Sequence, residues 1–71
     1  MAEKDGIIIE FYPVGAYVKV SAVDPASLTE VSIVGDPSRG EEALIRAAVD
    51  KLDYVLERQV RQRKRRGGAR S

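Results

Sequence analysis

Three short runs of alternating residues limit what this chain can build. Residues 7–12 (IIIEFY), 17–23 (YVKVSAV) and 29–34 (TEVSIV) are rich in β-branched and aromatic side chains, the composition of strands. Sorting by period two groups Ile7, Ile9 and Phe11, then Val18, Val20 and Ala22, then Val31 and Ile33. These sets predict the core face of a sheet. Their alternates are mixed: Ile8, Glu10 and Tyr12; Tyr17, Lys19 and Ser21; Glu30, Ser32 and Val34. That mixture predicts an outer face that is only half polar.

The connections are short, so neighbouring strands should be antiparallel. A four-residue loop Pro13–Ala16, closed by Tyr12 and Tyr17, predicts the pairs Phe11–Val18 and Ile9–Val20, with Glu10 opposite Lys19. A three-residue loop with a bulge at Gly15 would set Ile9 against Lys19 and is rejected. A second four-residue loop, Pro25–Leu28 closed by Asp24 and Thr29, predicts Ala22–Val31 and Val20–Ile33. Proline at the start of each loop pre-sets the first turn position.

Beyond Gly35 the period changes. Leu44, Ile45, Ala48, Val49, Leu52, Val55 and Leu56 recur at steps of three and four, one wide apolar stripe on a helix. Its start is expected at Asp36 with Pro37 in the first turn, or at Ser38, which forms a Ser-x-x-Glu capping box with Glu41. Glu42–Arg46, Arg46–Asp50 and Glu57–Arg61 are spaced as helix-surface ion pairs. Past Leu56 only Val60 continues the stripe, so the helix should outrun its core and fray by Gly67. The expected architecture is α+β: a three-stranded antiparallel β-meander, order 1-2-3, with one C-terminal helix packed on one face. Residues 1–6 are expected to be disordered, 7–60 to form the β-β-β-α domain, and 61–71 to be a frayed or disordered basic tail.

Seventy-one residues hold one domain with a marginal core, and with no Cys and no His neither disulfides nor the usual zinc ligands can reinforce it. Self-association is the remaining aid, so a homodimer is expected. One helix covers one side of the sheet, which leaves Ile8, Tyr12, Tyr17 and Val34 of the outer face, or an edge strand, as the expected interface. No apolar run is long enough for a secretory signal or a membrane span, and a cytoplasmic location is expected.

Charge is unevenly divided. Residues 1–57 carry five Lys and Arg against all eleven acids, whereas residues 58–71 carry seven basic residues and no acid. Arg58, Arg61, Arg63, Lys64, Arg65 and Arg66 are therefore candidate polyanion-binding residues, and Arg58, Arg61 and Arg65 would share one helix face. No aromatic residue interleaves with them to stack on bases, and cations at a helix C-terminus also complement its dipole. Nucleic-acid binding through this segment is the alternative to a protein-interaction role.

Catalysis is not expected. There is no nucleophile–imidazole pair, metal cluster or redox thiol, and no cofactor or small-molecule substrate is implied. The Gly35–Gly40 stretch, GDPSRG, lacks the Gly-Lys-Ser/Thr of a phosphate loop, and Asp36, Glu41 and Glu42 would repel an anion. Helix capping is its reading.

The stretch from Glu10 to Pro37 (EFYPVGAYVKVSAVDPASLTEVSIVGDP) resembles a family of short, uncharacterised alphaproteobacterial proteins classed as a domain of unknown function. The matching elements are Glu10-Phe11, Pro13 with Gly15, Val18-Lys19-Val20, Asp24-Pro25, and Glu30-Val31 leading to Val34-Gly35, together with Lys51 to Arg58 (KLDYVLER). The resemblance implies no activity and no site residue.

Overall fold

A computed structural model describes the backbone of residues 2–4 and 6–70, and the side chains of residues 6–64. The three expected strands form an antiparallel meander: β2 (Ile7–Val14), β3 (Tyr17–Asp24) and β4 (Thr29–Gly35). A short strand, β1 (Ala2–Lys4), pairs with the start of β2 and makes the sheet order β1-β2-β3-β4. Nothing in its composition marks β1 as a strand; it is held by pairing with a β2 edge that would otherwise be bare. The chain then passes through a 3₁₀ turn (Pro37–Arg39) into a single helix, α1 (Glu41–Arg70), which lies over β3 and β4.

The predicted faces hold. Ile9, Val18, Val20, Ala22 and Val31 are buried against Leu44, Ala48 and Leu52 of α1. Ile7, Phe11, Ile33, Ile45, Val49, Val55 and Leu56 pack around that cluster, partly covered. The β3–β4 register is as expected, with Val20 opposite Ile33 and Ala22 opposite Val31. Its loop is fastened by Asp24, whose carboxylate accepts from the Ala26 N–H at 3.1 Å and the Ser27 hydroxyl at 2.9 Å. Leu28 closes it in the left-handed region at φ 59°.

The β2–β3 register differs by two residues from the expected one. Phe11 faces Val20, Ile9 faces Ala22, and Glu10 faces Ser21 rather than Lys19. The four-residue loop is replaced by a two-residue turn, Gly15-Ala16, closed by Val14 and Tyr17. Gly15 has φ 60° and Ala16 does not, the pattern of a type II′ turn, whose twist matches the flanking strands. Pro13 therefore sits in the strand, opposite Val18, one step from the closing pair. Hydrogen-bonded and non-bonded pairs alternate, so the nitrogen of Pro13 points away from β3, to an edge that β1 does not reach. A shift of two keeps every side chain on its face, which is why the alternation could not detect it.

The helix start also differs. Asp36 caps the 3₁₀ turn, its Oδ1 accepting from the Ser38 N–H at 2.9 Å. That backbone hydrogen bond, and after it one with the Ser38 side chain, holds the carboxyl below its ordinary range. The stabilisation is present above the ordinary carboxylate pKa and is lost as pH falls through the lowered one. Ser38 lies inside the turn and forms no capping box; the first α-helical bond runs from Leu44 N–H to Gly40 C=O at 3.2 Å. At the other end α1 continues to Arg70, past the Gly67-Gly68 pair expected to end it. Glycine weakens a helix by about 1 kcal/mol but keeps its N–H, so the local bonds can run on. Thirty residues span about 45 Å, against about 26 Å for an eight-residue strand, and α1 overshoots the sheet.

Candidate interaction surface on the uncovered sheet face

The face of the sheet away from α1 is organised by cross-strand rows. Ile8, Val23 and Glu30 form one row, Glu10, Ser21 and Ser32 the next, Tyr12, Lys19 and Val34 a third, and Val14 with Tyr17 the last. The middle row is low and closed: Ser21 is fully buried, and its hydroxyl lies 3.1 Å from that of Ser32. Small side chains there divide the face into two parts.

The part nearer the Gly15-Ala16 turn is apolar and open. Tyr12, Val14, Tyr17 and Val34 are 44, 53, 58 and 67 % exposed, and they surround one cation, Lys19. The Lys19 ammonium lies 5.6 Å from the centre of the Tyr12 ring, a cation–π distance. The Tyr12 hydroxyl donates to Glu10 Oε1 at 2.7 Å. The aromatic ring is thus held between an acid on its own strand and a cation on the next. That hydrogen bond, ahead of desolvation and the Glu10 charge itself, raises the Tyr12 pKa above the ordinary phenol value. Replacing Glu10 with Gln is expected to lower the pH at which Tyr12 ionises, read by the ultraviolet absorbance of tyrosinate or by NMR. An unchanged titration would mean that the Glu10 bond is not formed.

Of the residues expected at the interface, Tyr12, Tyr17 and Val34 are brought together, and Ile8 is not. Ile8 is half-buried and lies beyond the serine row. Val14 belongs to the patch as well, opposite Tyr17, although the proline at 13 marks residues 13–16 as a loop in the sequence. The signal that reveals it is Gly15, whose left-handed φ suits the tighter turn.

The basic residues are distributed along the end of α1. The Arg58 guanidinium lies 5.8 Å from the Tyr54 ring, and Arg61 Nη2 is 3.7 Å from Glu57 Oε1, both at the surface. Arg63 and Lys64 are exposed, and the side chains of Arg65 and Arg66 lie outside the described residues. Among the described residues no helix is long and apolar enough to cross a membrane.

The family description "Domain of unknown function (DUF6898)" matches residues 4–59, from the end of β1 to Gln59 of α1, which accepts from Thr29 of β4. The chain belongs to the DUF6898 family. No curated protein and no solved structure matches it. The DUF6898 match takes in the whole outer face from Ile8 to Val34 and stops before Arg61, Arg63 and Lys64.

Proposed function

We propose that this DUF6898 chain is a small, non-catalytic interaction module that binds another protein through the uncovered face of its sheet. The observation that carries the reading is the grouping of Tyr12, Val14, Tyr17 and Val34. They are four of the seven large apolar side chains exposed among the described residues, and they adjoin on one half of one face. Rigid aromatic and β-branched side chains on a sheet lose little entropy when covered, which suits them as anchors. Lys19 at their centre favours a partner that brings a carboxylate or a carbonyl to the middle of an apolar contact. The chain has no imidazole or thiol, and the two side chains among the described residues whose titration the fold shifts, Tyr12 and Asp36, are exposed and have structural partners. Absence of cysteine suits work in a reducing compartment such as the cytoplasm.

The test is a comparative capture from host extract, at two salt concentrations. Protein retained by the native chain should be lost with Tyr17→Glu and kept when Arg61, Lys64 and Arg65 are neutralised together. If retention follows the basic residues instead, and the recovered material is nucleic acid released by salt, the polyanion reading replaces this one.

A further inference from the structure

A sheet edge presents unpaired N–H and C=O groups that can take on a further strand. Here the edges belong to β1, to the part of β2 that β1 leaves bare, and to β4. β1 has three residues, and Pro13 in the bare part of β2 has no N–H to offer. β4 is longer, and the register tells which of its groups point outward. Val14 and Tyr17 close their two-residue turn as a bonded pair, and bonded and non-bonded pairs alternate, so Lys19, Ser21 and Val23 bond toward β2. Val20 and Ala22 then bond toward β4, to Ile33 and Val31. The main-chain groups of Glu30, Ser32 and Val34 are left facing out.

Ser32 is the middle one of the three, and its carbonyl is occupied. Lys51 Nζ donates to it at 2.7 Å, the short distance of a charge-assisted hydrogen bond. The ammonium therefore lies on the outer side of β4, where the backbone of an added strand would have to run. Gln59 accepts from the Thr29 hydroxyl at 3.3 Å, so α1 keeps beside this strand for eight residues. Four and eight residues before Lys51, on the same side of the helix, stand Ala47 and Ala43, small and exposed. Among these residues it is Lys51 that reaches the strand edge. An added strand, parallel or antiparallel, has to displace the ammonium before it can bond across the middle of β4.

We infer that Lys51 is a guard on the β4 edge, which keeps the sheet of a second copy from joining there. The strand it excludes is the other copy's β4. Antiparallel pairing about Ser32 would match the outward residues of both copies, Ser32 with Ser32 and Glu30 with Val34, and would bring two Lys51 ammonium groups into one seam. With β1 short, Pro13 lacking a donor and Lys51 over β4, each edge carries its own obstacle to pairing. The inference goes beyond the outer-face reading and does not depend on it.

The test compares sedimentation and amide hydrogen exchange of the full chain and its variants over a range of concentrations. Lys51 is exposed and methionine forms helices as readily as lysine, so Lys51→Met should fold as the native chain does. It should self-associate about tenfold more tightly than the native chain. The amides of Glu30, Ser32 and Val34 should exchange fast in the native chain and slow down in Lys51→Met as concentration rises. Lys51→Arg keeps the donor and should behave as the native chain. So should Arg46→Met, which removes the same charge from another exposed position of α1. Adding Glu30→Pro to Lys51→Met removes an outward N–H without touching the β3 ladder, and should reverse the gain. A Lys51→Met chain no heavier than the native one would overturn the inference, as would a native chain already protected at the three amides. An equal gain in Lys51→Arg or Arg46→Met, or a gain that survives Glu30→Pro, would overturn it as well. Tyr17→Glu, the test of the outer face, should leave the exchange of all three amides unchanged, so either reading can fail while the other stands.

Discussion

Leu52→Ala should lower stability by about 2–5 kcal/mol, the range for removing a buried leucine and leaving a cavity. Leu52 is fully buried at the centre of the α1 stripe, against Val20 and Ala22, which are fully buried as well. Neither neighbour has a long side chain that could swing into the space. Domains of ordinary size are stable by only about 5–15 kcal/mol, and a 71-residue chain has a smaller core than most. The variant should therefore be partly or wholly unfolded at room temperature. Urea titration followed by circular dichroism, at matched protein concentration, gives the measurement. An unchanged midpoint would place the core somewhere other than between α1 and β3.

Gly35→Val should cost about 1–3 kcal/mol, for the opposite reason. Gly35 ends β4, where it pairs with Val18, and a Cβ there would overlap the side chain of Leu44. Leu44 is buried in the first turn of α1, so its side chain has to turn within a packed core to make room. The loss should appear in the same urea titration, whereas Val34→Ala, one residue away and exposed, should stay within about 0.5 kcal/mol of the native chain. Equal effects at the two positions would show that β4 and α1 do not approach closely at Gly35.

The two hairpins show how far local chemistry reaches. At Pro25–Leu28 a proline, an aspartate able to bond the loop backbone, and matching core faces all favour one four-residue loop, and that loop forms. At Pro13 the same proline signal misleads. A proline is equally acceptable inside a strand when its missing N–H faces an unpaired edge, and no local pattern says which edge is unpaired. The capping signals at Asp36 and Ser38 compete within three residues; a 3₁₀ turn takes Asp36, and Gly40 then opens the helix. The first of these ambiguities keeps Val14 out of the surface that the sequence predicts. Tyr12, Tyr17 and Val34 are legible in it, because face membership depends only on parity.

The sequence by itself determined the faces of three strands, their antiparallel order, the second hairpin, and one helix with a stripe ending near Val60. These follow from periods of two and about 3.6, which a chain carries locally. Only the tertiary structure decided the register of the first hairpin, the addition of β1, and the placement of α1 over β3 and β4. Each is a choice among arrangements that bury the same residues on the same side, and it is settled by close packing and by backbone hydrogen bonds between distant segments. The guarded edge of β4 belongs to this second group: the sequence shows a lysine on the helix, and only the position of α1 brings it to the Ser32 carbonyl.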